Sequence, residues 1–162
     1  MKKEIIWAPW RIGYILEEKK EGCFLCSAFQ SKNFRKNYVI EKIKNAFVIM
    51  NIFPYNNGHL MVAPGRHIAE FEQLTEDEIL SINILIKKSI IILKKVLKPE
   101  GFNIGVNIGK VSGAGVESHI HFHIVPRWTG DTNFMPVISN TKVIPQSLND
   151  LYKKLRNEFK KG

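Results

Sequence analysis

Two periods of hydrophobicity run along the chain and divide it into elements. Tyr38–Ile43 and Ala46–Met50 read as strands joined by a turn at Lys44-Asn45. Pro54-Tyr55-Asn56-Asn57-Gly58 is a turn sequence, and His59–Pro64 follows as a third strand. Thr75-Glu76-Asp77-Glu78 has the form of a capping box, so a long helix should start there and stop at Pro99-Glu100-Gly101. Its lysines 87, 88, 94 and 95 fall on one stripe with Ser81 and Asn83. Ile79, Ile82, Leu85, Ile86, Ile90, Ile92, Leu93 and Val96 occupy the rest, with Leu80, Ile84 and Ile91 beyond. One sheet needs an apolar stripe only ~100° wide. The surplus fits either a helix that also meets a second subunit, as in a homodimer, or a deeply buried helix in a monomer. Phe102–Ile108 and His119–Val125 read as two more strands, separated by the Gly-rich loop Gly109–Val116. Pro145–Lys160 reads as a C-terminal helix. Residues 1–37 look irregular, apart from a short helix near Arg11–Lys20. The order implies an α+β fold: an antiparallel sheet of about five strands, one long helix and a C-terminal helix.

Composition narrows the class. The chain has 162 residues, enough for one domain, and 44% of them are hydrophobic, enough for a sizeable core. Met1–Trp10 has no apolar run long enough for a signal peptide, and lysines interrupt Ile79–Leu97, which makes it a poor membrane span. The expectation is a cytoplasmic protein with no membrane partner. The formal charge of +9 favours anionic partners such as nucleotides, nucleic acid or anionic lipid. Solvated lysine-rich helix faces account for it equally well. A nucleic-acid binder would interleave aromatics with its basic residues, and the clusters Lys153–Arg156 and Lys160-Lys161 have only Tyr152 and Phe159 nearby. Nucleic acid is therefore not an expected partner.

Three of the five histidines stand at alternate positions in His119-Ile120-His121-Phe122-His123-Ile124-Val125. In a strand they share one face, and Ile120, Phe122 and Ile124 share the other. A solvated strand with incidental histidines is one reading. A zinc enzyme with H-x-H ligands is a second, but His119 and His123 would be about 13 Å apart, so all three cannot hold one ion. The third is nucleophilic catalysis. Neutral imidazole is a good nucleophile at pH 7 and forms a labile phosphoramidate with phosphorus. The middle histidine would then be flanked by two donors to phosphate oxygens. The Gly-rich loop just before the strand can bring backbone N–H groups to the same phosphate.

That histidine pattern resembles the H-φ-H-φ-H-φ-φ signature of the histidine triad (HIT) superfamily. Asn51, Asn57-Gly58-His59-Leu60-Met61-Val62-Ala63-Pro64 and His67 resemble the other half of a HIT active site. Trp7-Ala8-Pro9-Trp10-Arg11 and Pro126-Arg127-Trp128 with Gly130–Phe134 look like the bacterial branch related to diadenosine tetraphosphate phosphorylases, which is also similar to fragile histidine triad hydrolases. The resemblance implies one HIT domain over 1–162: an N-terminal segment 1–37, a core 38–127 and an extension 128–162. It implies His121 as the nucleophile on an α-phosphorus, forming a nucleotidyl-histidine that water or inorganic phosphate releases. His123, His119 and His59 would complete the catalytic group. Asn51 would bind ribose, and Asn107, Gly113, Gly115 and Ser118 the phosphates. Relatives often carry a hydroxyl where this chain has Val116. The implied substrate is a dinucleoside polyphosphate, with an adenine nucleotide as the expected ligand. A zinc-stabilised nucleotide-binding module, a nucleoside phosphoramidate hydrolase and a hydrolase with catalytic zinc are the other readings.

Cys23 and Cys26, spaced C-x-x-C, are the only cysteines. They could be an ordinary buried pair, or half a zinc site. A thioredoxin-like pair would have a strand before it and a helix opening at it, neither of which the pattern shows. The HIT resemblance supplies the missing half of a structural Zn2+ site, with His67 and His119 as the other ligands. No organic cofactor is expected.

Overall fold

The computed structural model describes residues 22–131 and 144–161; the helix expected near Arg11–Lys20 and the residues Asn133 and Phe134 lie outside them. Five strands form one antiparallel sheet: β1 (Val39–Lys42), β2 (Ala46–Met50), β3 (Leu60–Pro64), β4 (Gly101–Val106) and β5 (Phe122–Arg127). Their order is β1-β2-β3-β5-β4. The α+β expectation and the five strands are as the pattern implied.

Both faces of the sheet centre are covered, which explains why β2 and β3 read as unbroken apolar runs. Val48, Met50, Leu60, Val62 and Ile124 face a core shared with α2 (Glu76–Leu97) and α3 (Leu148–Lys161). Phe47, Ile49, Met61 and Ala63 face the opposite way, onto α1 (Phe24–Gln30) through Leu25 and Ala28. The long helix buries Ile82, Leu85, Ile92 and Leu93, while Leu80, Ile84 and Ile91 are all more than half exposed. The helix is therefore not buried all round. Among the described residues, no helix is long and apolar enough to cross a membrane.

Several boundaries differ from the sequence reading: β4 ends at Val106, not Ile108, and α3 starts at Leu148, not Pro145. Residues 24–30 are helical, not irregular. β5 starts at Phe122, not at His119, because its partner β3 ends in Pro64, which has no N–H to extend the ladder. Ile120 instead donates its N–H to the Ile68 carbonyl (2.7 Å). Residues 119–121 thus lead into the strand along a different partner.

The capping box forms as expected. Thr75 Oγ1 accepts from Glu78 N–H (3.3 Å), and Glu78 Oε2 accepts from Thr75 N–H (2.9 Å). Arg66 adds a two-pronged contact, Nε to Glu78 Oε1 (3.0 Å) and Nη2 to Oε2 (2.8 Å), and Nη2 also donates to the Gln73 carbonyl (2.7 Å). The helix start and the loop after β3 are therefore one unit. The Arg66 hydrogen bonds hold the Glu78 carboxyl down at about 2, against the opposing effect of burial.

Thr75→Ala should cost about 1 kcal/mol, or roughly 3 °C in Tm for a chain of this size. Because the folded-state pKa of Glu78 is depressed, its ionic contribution is full above the ordinary carboxylate value and is lost as pH falls toward about 2. Thermal melts of Glu78→Gln and the parent should therefore differ at pH 7 and converge toward pH 2. A gap that stays constant over that range would remove the charge from the explanation.

Candidate active site

His123 enters the site on β5, opposite Met61 of β3 and Gly105 of β4, on the sheet face that α1 shares. His59 arrives at the start of β3, on the far side of the turn 54–58. Gly58 makes that arrival possible. Its φ is +79°, and a Cβ there would sit 2.5 Å from Leu97 Cδ1. The turn is fastened to the end of β5, where Asn56 Nδ2 donates to the Pro126 carbonyl (3.0 Å) and to Asp131 Oδ2 (2.7 Å). Asp131 in turn accepts from Arg127 Nε (2.6 Å), and Arg127 Nη1 donates to Asn103 Oδ1 of β4 (2.8 Å).

The histidines are buried: His119 fully, His59, His121 and His123 nearly so. That burial excludes the reading of a solvated strand with incidental histidines. The ring centroids of His121 and His123 are 4.9 Å apart, and those of His59 and His123 5.1 Å. Tyr55 covers the pair, 4.6 Å from His59 and 5.5 Å from His123. The sequence reading used Tyr55 only as part of a turn; an aromatic inside an otherwise Pro/Asn/Gly turn was the available signal.

Backbone groups decide where the protons sit. His121 Nδ1 lies 2.9 Å from the His119 carbonyl oxygen. A carbonyl only accepts, so Nδ1 carries the hydrogen and Nε2 carries the lone pair. Burial pushes His121 below the ordinary histidine value, although the His119 carbonyl works the other way. Burial, aided by His121, pushes His123 down to about 4. Both rings are thus neutral at pH 7. His123 Nε2 is buried with no hydrogen-bond partner among the described residues.

His119 turns away from this group. Its ring meets His67 edge-on at 5.3 Å, and Nδ1 is 3.3 Å from Cys23 Sγ and 3.4 Å from Cys26 Sγ. Cys26 Sγ is 3.2 Å from His67 Nδ1. The four donor atoms all lie within 4.8 Å of one another. Ordinary Zn–S and Zn–N bond lengths imply tetrahedral edges of about 3.5 Å between sulfur and nitrogen. His119 Nε2 donates to the Pro64 carbonyl (3.0 Å), which leaves the Nδ1 lone pair facing the sulfurs, as a metal ligand requires. The donor set therefore fits a closed four-ligand site. A helix does open at the cysteine pair, since Cys23 is the residue before α1. Yet Cys26 is pushed up to about 11 by burial and the Cys23 thiol, whereas a reactive redox cysteine is held low. A cation between the sulfurs would reverse that cost.

Asn51 reaches His59: its Nδ2 is 3.3 Å from His59 Nδ1. Asn107 directly follows β4 and is half-buried. In the Gly-rich loop, Lys110–Ser112 forms a 3-10 turn, and Gly113, at φ +88°, gives its N–H to the Lys110 carbonyl (3.1 Å). Gly115 and Ser118 are exposed. The structure thus brings His59, His121, His123 and Asn51 together. His119 joins Cys23, Cys26 and His67 in a second cluster, linked to the first by its own carbonyl.

A HIT domain family model matches residues 32–130. An AP-4-A phosphorylase of Mycobacterium tuberculosis is 36% identical over 162 residues, covering 95% of this chain and 83% of the relative. An adenosine 5'-monophosphoramidase of Schizosaccharomyces pombe is 32% identical over 82 residues, 51% of this chain and 58% of that protein. Among solved structures, a zinc-bound histidine triad family protein from Mycobacterium smegmatis superposes with a TM-score of 0.69 at 20% identity, covering 86% of this chain and 94% of that one.

Proposed function

The chain belongs to the HIT domain family, and on that premise we propose that it cleaves dinucleoside polyphosphates through a nucleotide covalently held on His121. The observation that carries this reading is the 2.9 Å contact between His121 Nδ1 and the His119 carbonyl. It leaves the Nε2 lone pair as the nucleophile beside a second neutral histidine, His123. His121 Nε2 attacks the α-phosphorus, and the bond to the bridging oxygen breaks. His123 Nε2 donates a hydrogen bond to the departing nucleoside polyphosphate and keeps its proton, which steadies the charge that develops there. In the second step an acceptor oxygen attacks the same phosphorus. The N–P bond returns its electron pair to Nε2, and any proton on the acceptor passes to solvent. Asn107 and the loop carrying Gly113, Gly115 and Ser118 are the candidates for holding the phosphates.

Similarity to an AP-4-A phosphorylase over 95% of this chain supports diadenosine tetraphosphate as substrate and inorganic phosphate as acceptor. Incubated with phosphate, the protein should release ADP and ATP, and His121→Ala should lose at least a thousandfold in rate with an unchanged melting curve. A mass increase of one AMP on His121 should be trapped when the acceptor is omitted. AMP plus ATP made without phosphate would reassign it as a hydrolase. Turnover of adenosine phosphoramidate alone would move the reading toward the phosphoramidase relative. Full activity in His121→Ala would end it.

The donor geometry of Cys23, Cys26, His67 and His119 supports a bound zinc ion. With four protein ligands the ion has no open position for substrate, so its contribution is structural. The purified protein should carry about one zinc per chain by elemental mass spectrometry. Cys26→Ser should lose the metal and melt at lower temperature. A metal-free wild-type protein with the same Tm would exclude the assignment.

We infer a homodimer, a reading that two apolar surfaces support. β4 is an edge strand with Ile104 46% exposed, and α2 presents Leu80, Ile84 and Ile91. An uncovered apolar edge invites pairing. Sedimentation equilibrium should give twice the 18.7 kDa chain mass, and Ile104→Lys should return it to one. A wild-type monomer at micromolar concentration would refute this.

A further inference from the structure

Asn51 makes two contacts that fix the orientation of its amide. Its Oδ1 accepts from the Phe53 N–H (2.9 Å), so Nδ2 must be the end that faces His59 Nδ1 at 3.3 Å. The Tyr55 N–H donates to the same His59 Nδ1 at 3.0 Å. Two donors therefore converge on one ring nitrogen. Both orientations rest on backbone N–H groups, which can only donate. A hydrogen on His59 Nδ1 would point at those donors, so it sits on Nε2 instead. His59 Nε2 is 2.9 Å from His123 Nδ1 and donates to it, within a buried pair. His123 must then hold its own hydrogen on Nε2, the atom left without a partner among the described residues.

We propose that Asn51 and the Tyr55 N–H, acting through His59, form a one-way relay that sets the tautomer of His123 and so presents an N–H to the departing oxygen. Asn51 is a positioning residue in this scheme, rather than only the ribose contact that the family resemblance implied. The mechanism needs this device because it requires opposite tautomers on neighbouring rings. His121 must expose a lone pair at Nε2, and His123 must expose a hydrogen at the same atom. A uniform environment would not separate them. A carbonyl fixes the first and a chain of N–H donors fixes the second. The consequence for the reaction rests on the proposed cleavage chemistry; the tautomers do not.

The test is a nitrogen NMR measurement of the ring tautomers in full-length protein labelled at histidine, without substrate, at pH 7. The expected result is a hydrogen on Nε2 of His59 and His123 and on Nδ1 of His121. His59→Gln keeps an N–H donor toward His123 and should keep that tautomer. His59→Leu should give His123 a mixture of tautomers and lower kcat about a hundredfold with KM little changed. Asn51→Asp puts an acceptor against His59 Nδ1 and should place a hydrogen there, with an altered pH profile of kcat. Asn51→Ala should lower kcat more than it raises KM. A hydrogen on His123 Nδ1 in the wild type would overturn the relay. So would an Asn51→Ala effect confined to KM with tautomers unaltered, the signature of a ribose contact alone. Correct tautomers in a protein that cleaves no dinucleotide would leave the relay standing and defeat the proposed substrate instead.

Discussion

The arrangement depends on His119, three of whose polar groups are each committed to a different part of the molecule. Nε2 donates to the carbonyl at the end of β3, Nδ1 faces two sulfurs beside α1, and the main-chain oxygen accepts from His121. The peptide that follows is tied to Ile68. A residue held on every side is a poor catalyst but a good anchor, because its carbonyl cannot drift relative to the ring it orients. The hydrogen bond to a buried, fixed carbonyl is worth more than one to a mobile group, since no reorganisation is needed as charge develops. In the proposed mechanism two of the three histidines in the motif act on ligand atoms, while the first holds the second by its carbonyl.

Burial supplies the other half. Removing water disfavours the charged imidazolium, and it is the main reason His121 and His123 both titrate below the usual range. A protonated His121 would have no lone pair to offer. Neutrality is thus bought by packing, through Tyr55 above the rings and Met61 and Gly105 on either side of His123. The same packing strengthens any interaction with an entering phosphate. The basic balance of the chain then acts at longer range, drawing anions toward a site whose own rings are uncharged.

The parts that were legible in the sequence are those set by local rules. Thr75 and Glu78 announce the helix start, and the apolar runs of β2 and β3 announce strands. The alternating histidines implied one shared strand face, but only His123 lies within β5, and His119 turns to the cysteines. What stayed hidden depends on partners distant in sequence. α1 has seven residues, no side-chain cap and no acid in its first turn, so isolated propensity is too weak to reveal it. It exists because Leu25 and Ala28 bury against Phe47 and because Lys42 Nζ donates to the carbonyls of Phe29 and Ser31 at its end. Phe29 in turn rests where a Cβ on Gly65 would approach to 2.4 Å. The early start expected for β5 failed for a similar reason: the decisive residue, Pro64, lies on its partner and not on itself.

Residue type also concealed function at Asn51, because an amide near a nucleotide site suits either ligand or protein. Only the Phe53 N–H resolves which end points where. This generalises to the histidines themselves. As residue types His59, His121 and His123 are interchangeable, and residue type alone places no hydrogen on any of them. The fold breaks the equivalence with main-chain groups: a carbonyl beside His121, an amide hydrogen beside His59. Such groups survive almost any substitution at their own positions, since every residue but proline carries them. Placing the polarity of a site in its backbone therefore leaves the addresses of the protons fixed by the path of the chain.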